Sequence, residues 1–328
     1  MRSGLRLMVC LLLGAAVGRA ADPELAGVLR LAGNPEMTAV VGRWTAAFQK
    51  AHPMVRVETH LTGSDTGMAA LYTGRTDLAL LGRAPTLSEI QAFEWIFHYK
   101  PAQVEIMTGS LDRAGKSPAL VLFVHRDNPL KQLTLAQLDA IFGTEHRLSS
   151  ANIRTWGQLG MNSPWANRPI ALYAPDAMSG TGRFFRHTVL NDSRMMNWTQ
   201  LTEFCDTAVP LERTHDAGRL VLAALAKDRY GLGVASLGFT QAGVRLLPIV
   251  VDGTPVAATR ENLVSRRYPL TRSATAYLNR KPGTATDPLV AEFLRYVLSR
   301  EGQREAVEAS AYLPLTAELA TEQVRRLD

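Results

Sequence analysis

Short apolar runs alternate with helix-like runs along almost the whole chain, and this alternation constrains the fold more than any other feature. A strand, a tight polar loop and an amphipathic helix cannot bury their apolar faces alone. Repeated units of that kind pack as sheets covered by helices, the α/β class. "GVLRLAG" (27–33) reads as a first strand and Gly33-Asn34-Pro35 as its loop. Val40, Val41, Trp44, Ala47 and Phe48 then form one face of a helix that ends at "KAHP". "VRVETHL" (55–61) followed by "TGSDTGMAALYTG" (62–74) repeats the unit, and "TDLALLGR" (76–83) supplies a third strand. Further strands are expected at 119–130, 168–175, 230–239, 244–253 and 273–280, with helices at 133–143 and, last, at 287–300. The stretch 86–117 has no clear period. Trp44, Phe48 and Trp156 are expected in the core.

At 328 residues the chain is long enough for two domains or one large one. Arg2 and Arg6 precede the apolar run "LMVCLLLGAAV" (7–17), and Gly18-Arg19-Ala20 offers the small-x-small pattern of a cleavage site. Residues 1–20 are therefore expected to be a signal peptide, and the mature chain to be exported and soluble. Cys205 is then the sole remaining cysteine, so no internal disulfide can form. The formal charge of +6 includes Arg2, Arg6 and Arg19, which leaves the rest of the chain at +3. No basic run with interleaved aromatics stands out, and "SRRYPLTR" (265–272) reads as a solvated face. A nucleic-acid partner is not expected.

Several enzyme signatures fail on spacing. In "GSLDRAGKS" five residues separate Gly109 from Gly115, where a phosphate-binding P-loop has four. The histidines at 52, 60, 98, 125, 146, 187 and 215 show no metal-ligand spacing. Met178 and Ala177 stand before Ser179 where a nucleophile elbow needs glycine two residues earlier. "GLGVASLG" lacks the third glycine of a dinucleotide fingerprint. No catalysis, cofactor or metal is expected.

One device does recur: small polar residues between a strand and a helix, at Gly33-Asn34, at Gly63-Ser64-Asp65-Thr66 and at Ser179-Gly180-Thr181. Free backbone N–H groups at helix N-termini bind anions, and ligands in open α/β sheets sit beyond the carboxyl ends of the strands. Such turns facing one cleft would form an anion cage.

In this order the motifs resemble the phosphate-binding proteins of ABC transporters. "HRDNPLKQLTLAQLDAIFG" with "IRTWGQL" (153–159), "TGSDTG", "SGT", "YGLGVASLGF", "YPLTRSATAYLNRKPG" and "PLVAEFLRYVLSREGQ…AYLPL" carry the likeness across nearly all of the mature chain. The resemblance implies two α/β lobes with a ligand cleft between them, residues 25–117 plus 273–328 forming one and 118–272 the other. It implies a periplasmic, monomeric receptor, phosphate or a similar oxyanion as ligand, and a membrane ABC permease as partner. The implied anion site comprises Asn34, Glu36, Ser64, Asp65, Thr66, Arg83, Ser179, Gly180 and Thr181, without a metal.

The chain also departs from that family. Asn34, Pro35 and Glu36 stand where the first loop has Ser or Thr, and a carboxylate there repels a dianion. Pro175 stands four residues before Ser179, where the family has an arginine; Arg183 and Arg83 are left to supply that charge. Ala177 occupies the place of the acidic group that accepts the ligand's proton and so rejects fully ionised sulfate, leaving Asp176, Asp65 and Glu36 for the role. The alternative is a sensor or interaction protein that kept the scaffold and lost the ligand.

Overall fold

The computed structural model describes residues 25–209, 212–213 and 216–328. The expected signal peptide at 1–20 lies outside the described residues, as does His215. In chain order the first elements are β1 (Gly27–Gly33), α1 (Thr38–Ala51), β2 (Val55–His60), α2 (Ser64–Tyr72), β3 (Leu78–Leu81), α3 (Leu87–Phe97) and β4 (Ala102–Thr108). Strand β1 buries Leu29 and Leu31 while Val28 and Arg30 face outward, the alternation that the pleat requires. Helix α1 buries Val40, Val41, Trp44 and Phe48, as their helical spacing demands. The stretch without a clear period contains α3 and β4. Helix α3 starts at a capping box in which the Thr86 hydroxyl accepts from the Glu89 amide and the Glu89 carboxylate accepts from the Thr86 amide.

The second run of elements comprises β5 (Leu120–His125), β6 (Leu133–Thr134), α4 (Leu135–Phe142), β7 (Ala171–Pro175), α5 (Gly180–Val189), β8 (Leu201–Phe204), β9 (Ala208–Val209) and β10 (Glu212–Arg213). After them come α6 (Ala217–Leu225), β11 (Gly231–Ser236), β12 (Val244–Leu247), β13 (Ile249–Val251), β14 (Thr254–Val256) and α7 (Arg260–Val264). The run 244–253 is thus two strands in two sheets, not one. Pro248 lies at the break: it has no amide to give to a ladder, while its carbonyl accepts from Leu133. The chain closes with β15 (Ser273–Leu278), α8 (Pro288–Leu298), α9 (Arg300–Ala309) and α10 (Ala317–Arg325). Two helices therefore follow the one expected to be last.

Two five-stranded mixed sheets organise these elements, in the orders β2-β1-β3-β15-β4 and β12-β5-β11-β7-β8. Each has its own core, one around Leu29, Trp44, Leu80 and Phe293, the other around Leu122, Trp156, Leu172 and Leu232. The C-terminal helices pack against the first sheet. Trp44 Nε1 donates to the Gly302 carbonyl at 2.8 Å, and the Gln303 amide donates to the Ile106 carbonyl at 2.9 Å. Two segments carry the chain between the sheets, 109–119 and 265–272, and they run side by side: the Gly109 amide donates to the Arg272 carbonyl at 2.8 Å and the Leu120 amide to the Leu270 carbonyl at 3.1 Å. Among the described residues no helix is long and apolar enough to cross a membrane.

Glycine 67 fixes how closely α2 rides over β1. A Cβ there would lie 2.8 Å from the Gly33 Cα, backbone against backbone, with no flexible side chain to yield. Gly67→Ala is expected to destabilise the fold by about 1–3 kcal/mol in urea unfolding. Gly42 lies on the exposed side of α1 with nothing within 4 Å of a built Cβ. Gly42→Ala is expected to stabilise by about 0.5–1 kcal/mol in the same assay.

Candidate functional site

The carboxyl ends of β1, β2, β3 and β7 lead into the polar turns singled out in the sequence, and the structure brings several of them to one place. Gly63 donates its amide to the Gly33 carbonyl at 2.8 Å, which ties the second turn to the first. Helix α2 then begins at Ser64 with no side chain capping it, so the first-turn amides at Ser64, Asp65 and Thr66 are open donors. The Thr66 hydroxyl is committed locally, donating to the Gly63 carbonyl at 2.8 Å and lying 3.0 Å from the Thr62 hydroxyl. Asn34 accepts the Glu36 amide on its side-chain oxygen at 3.0 Å and so caps the turn that opens α1.

Arg83 lies beneath α2 and α5, its side chain 8% exposed. Its guanidinium forks onto Glu89 at 2.9 and 2.7 Å and also donates to Asp65. Burial works against its charge, but Glu89 and then Asp65 more than compensate and hold it above the ordinary arginine range. Its Cδ and Cβ lie 3.5 and 3.6 Å from where a side chain on Gly180 would begin. Arg83 thus joins the N-terminus of α2 to that of α5, with its charge balanced by two carboxylates. Asp65 stands between α2 and Arg83 as that partner.

At α5, Ser179 is an N-cap. Its hydroxyl accepts from the Gly182 amide at 3.0 Å and donates to the Asp176 carbonyl at 2.6 Å, which leaves it no free proton for a ligand. His187 is turned to Asp192, 2.9 Å away, and does not serve the serine as a base. What the turn does offer is the pair of amides at Gly180 and Thr181, aimed along the helix axis. Asp176 accepts from the Met178 amide at 2.8 Å, and Glu203 accepts from the Ala177 amide at 2.6 Å.

The residue that sequence reasoning misplaced is Arg272. The segment "SRRYPLTR" was expected to be a solvated face, yet Arg272 is 8% exposed and sits on the crossover between the sheets. Arg266 is also half-buried and paired with Glu105, while Arg267 keeps an exposed pair with Glu261. Arg272 Nη2 donates to the Gly82 carbonyl at 3.1 Å and Nη1 to the Thr181 hydroxyl at 3.4 Å, and the guanidinium lies 5.7 Å from the Phe184 ring. No carboxylate pairs with it among the described residues. Burial pulls it down to about 10, with the Arg183 charge adding to the fall, so it remains a cation at neutral pH. No linear pattern around Arg272 marks it as buried.

Neutral and charged groups both surround the Arg272–Gly82 contact. The buried Ser117 hydroxyl donates to the same Gly82 carbonyl at 2.6 Å, and built Cβ contacts of 2.7 Å to Asn34 Nδ2 and Ser117 Oγ show why residue 82 has no side chain. The Tyr312 hydroxyl is buried close to Ser117, and burial drives it well above the usual tyrosine range. Lys116, in the segment rejected as a P-loop, donates to the Glu36 carbonyl and lies 3.5 Å from its carboxylate, which offsets the repulsion expected from Glu36. Arg183 is half-buried with its Nε unpartnered, and burial, then Arg83, lowers it. Among the described residues no cluster of His, Cys, Asp or Glu is able to hold a metal ion.

A family model described as a PBP superfamily domain matches residues 19–301. The chain is 30% identical over 342 residues to the phosphate-binding protein PstS of Pseudomonas aeruginosa, with 98% of both chains covered. It is 24% identical over 286 residues to protein SphX of Synechococcus elongatus, covering 85% of this chain and 75% of that one. Among solved structures, PstS from Borrelia burgdorferi superposes with a TM-score of 0.56 at 17% identity over 88% of this chain and 99% of that one. An ABC-type phosphate transport receptor from Vibrio cholerae gives 0.54 at 19% identity over 87% and 99%. At those identities the structural likeness speaks for the fold. With paired mixed sheets, helix N-termini gathered beyond their strand ends and 30% identity over nearly its whole length, the chain belongs to the PBP superfamily and to the PstS family within it.

Proposed function

We propose that this chain is a periplasmic receptor that binds a small tetrahedral oxyanion, foremost inorganic phosphate, and delivers it to the membrane permease of an ABC transporter. Residues 1–20 act as its signal peptide, and residues 25–117 with 273–328 and residues 118–272 act as two lobes of a monomer. The observation that carries the reading is Arg272, a buried guanidinium without a carboxylate beside the open amides of Gly180 and Thr181. A buried cation without a counterion is costly, and an anion in the cleft relieves that cost. The relative from Pseudomonas aeruginosa, named for phosphate binding, supports the same ligand.

In this reading the anion meets Arg272, the Gly180 and Thr181 amides and the α2 amides at Ser64, Asp65 and Thr66, with Asn34 at its edge. Ser179 orders α5, and Arg83 with Asp65 braces one helix end against the other. Glu36 is held back by Lys116. Because the donors belong to elements of both sheets, an anion touching all of them binds the closed arrangement better than an open one, which shifts the population toward closure. The permease reads that closure.

Arg272→Met tests this. Isothermal titration of the stripped variant with phosphate is expected to show affinity reduced about a hundredfold or more, as for loss of a charged hydrogen-bonding partner. The anion-free variant is expected to melt no lower than the parent, since an uncompensated buried charge has been replaced by an apolar side chain. A variant that binds phosphate as the parent does sinks the reading.

The capture of Arg83 by Glu89 and Asp65 favours a second reading, a scaffold that has given up its ligand. Small-angle scattering separates the two. The receptor is expected to contract when phosphate is added, whereas the degenerate scaffold keeps one radius of gyration and gives no heat.

A further inference from the structure

We infer that Ser117 is a positioning residue, whose hydroxyl aims the Gly82 carbonyl and so holds the Arg272 guanidinium where the receptor reading above, on which this rests, needs it. Among the described non-glycine residues with positive φ, Ser117 is the one that is buried, at φ 51° and 3% exposed. A left-handed backbone costs a residue that carries a Cβ energy which glycine avoids. At Ser117 that cost is offset through what the side chain bonds, and a strained residue of this kind points to a role.

The Ser117 hydroxyl donates to the Gly82 carbonyl at 2.6 Å, and Arg272 Nη2 donates to the same oxygen at 3.1 Å. A carbonyl oxygen has two lone pairs, so the two bonds coexist. Gly82 has little else to orient it. The paired register of β3 ends at Leu81, which leaves the next carbonyl outside the ladder, and glycine has no side chain to restrict its own peptide. The space where its Cβ would stand is filled by Ser117 Oγ and Asn34 Nδ2, each 2.7 Å away.

Ser117 also bears on the main chain of Arg272. Gly109 is wedged between the two residues: a Cβ built on it would lie 2.0 Å from the Ser117 carbonyl oxygen and 3.0 Å from that of Arg272, which accepts the Gly109 amide at 2.8 Å. The loop is closed just before the serine, where the Ser110 amide donates to the Lys116 carbonyl at 2.9 Å. One residue thus fixes the guanidinium through Gly82 and backs its main chain through Gly109. The other restraints on the guanidinium are looser, a 3.4 Å contact to the Thr181 hydroxyl and the face of Phe184. A cation held in place beforehand binds an anion more tightly, because its ordering cost is met on folding and not on binding.

Ser117→Gly tests this, since it keeps the left-handed backbone and removes only the hydroxyl. In the anion-stripped, full-length mature protein, NMR follows the exchange of the Arg272 Nε–H with water, the signal being assigned by its loss in Arg272→Met. Arg154, whose guanidinium donates to the Ala140, Ile141 and Gly143 carbonyls in the other core, is the reference. Exchange at Arg272 is expected to quicken about tenfold in Ser117→Gly while Arg154 stays as it is. Isothermal titration of the same variant with inorganic phosphate is expected to show affinity about tenfold weaker than the parent's. Exchange at Arg272 that does not change, or that rises together with Arg154, overturns the inference, and so does a variant that binds phosphate as tightly as a binding parent. A parent that gives no heat with phosphate overturns the receptor reading instead, and the exchange at Arg272 alone then decides the role of Ser117.

Discussion

An arginine buried against a carbonyl and a hydroxyl, with no carboxylate beside it among the described residues, is the interaction on which the site depends. Removing a guanidinium from water costs several kcal/mol, and neutral acceptors return only part of that. Arg272 recovers part through Gly82 and Thr181 and part from the face of Phe184. It is held in place because its own carbonyl receives the Gly109 amide on the neighbouring crossover. Side chain and backbone therefore report on both sheets: Gly82 follows a strand of the first, and Thr181 opens the helix that follows β7 of the second.

Around this cation Arg183 adds a second charge outside any ion pair among the described residues, while other charges are sorted into closed pairs. Arg83 with Glu89 and Asp65, and Lys116 with Glu36, satisfy one another and contribute position more than net field. The distinction matters because an ion pair that is already complete gains little from a third charge, while an isolated buried cation gains much. The same sorting explains how a chain can carry Glu36 beside an anion site without expelling the ligand.

Much of the architecture was legible from periodicity. Strand β1 spans the residues whose apolar alternation ended at Gly33-Asn34, and Trp44, Phe48 and Trp156 are buried because helical or loop spacing presents them to a sheet. Legibility failed where local pattern and tertiary environment part. Helix α3 leaves Trp95 exposed and buries Phe93 within a small satellite core, so its apolar residues fall on no single clean face. At Pro248 one apolar run serves two sheets, and no count of hydrophobic residues marks the seam. Of the candidate site, the turns at 34, 64–66 and 179–181 stood out because helix starts need small polar residues. Which hydroxyls were spent on capping did not.

By itself the sequence determined the α/β class, the strand-turn-helix units and the small polar turns at the helix starts, since each follows from interactions between residues a few positions apart. Only the tertiary structure decided which charges are paired and which are buried without a counterion among the described residues. Arg272 and Thr181 are 91 positions apart, and "YPLTR" has the same polar look whether its last residue meets water or a buried cleft. Burial depends on what the rest of the chain packs against a residue, and that is the quantity local pattern does not contain.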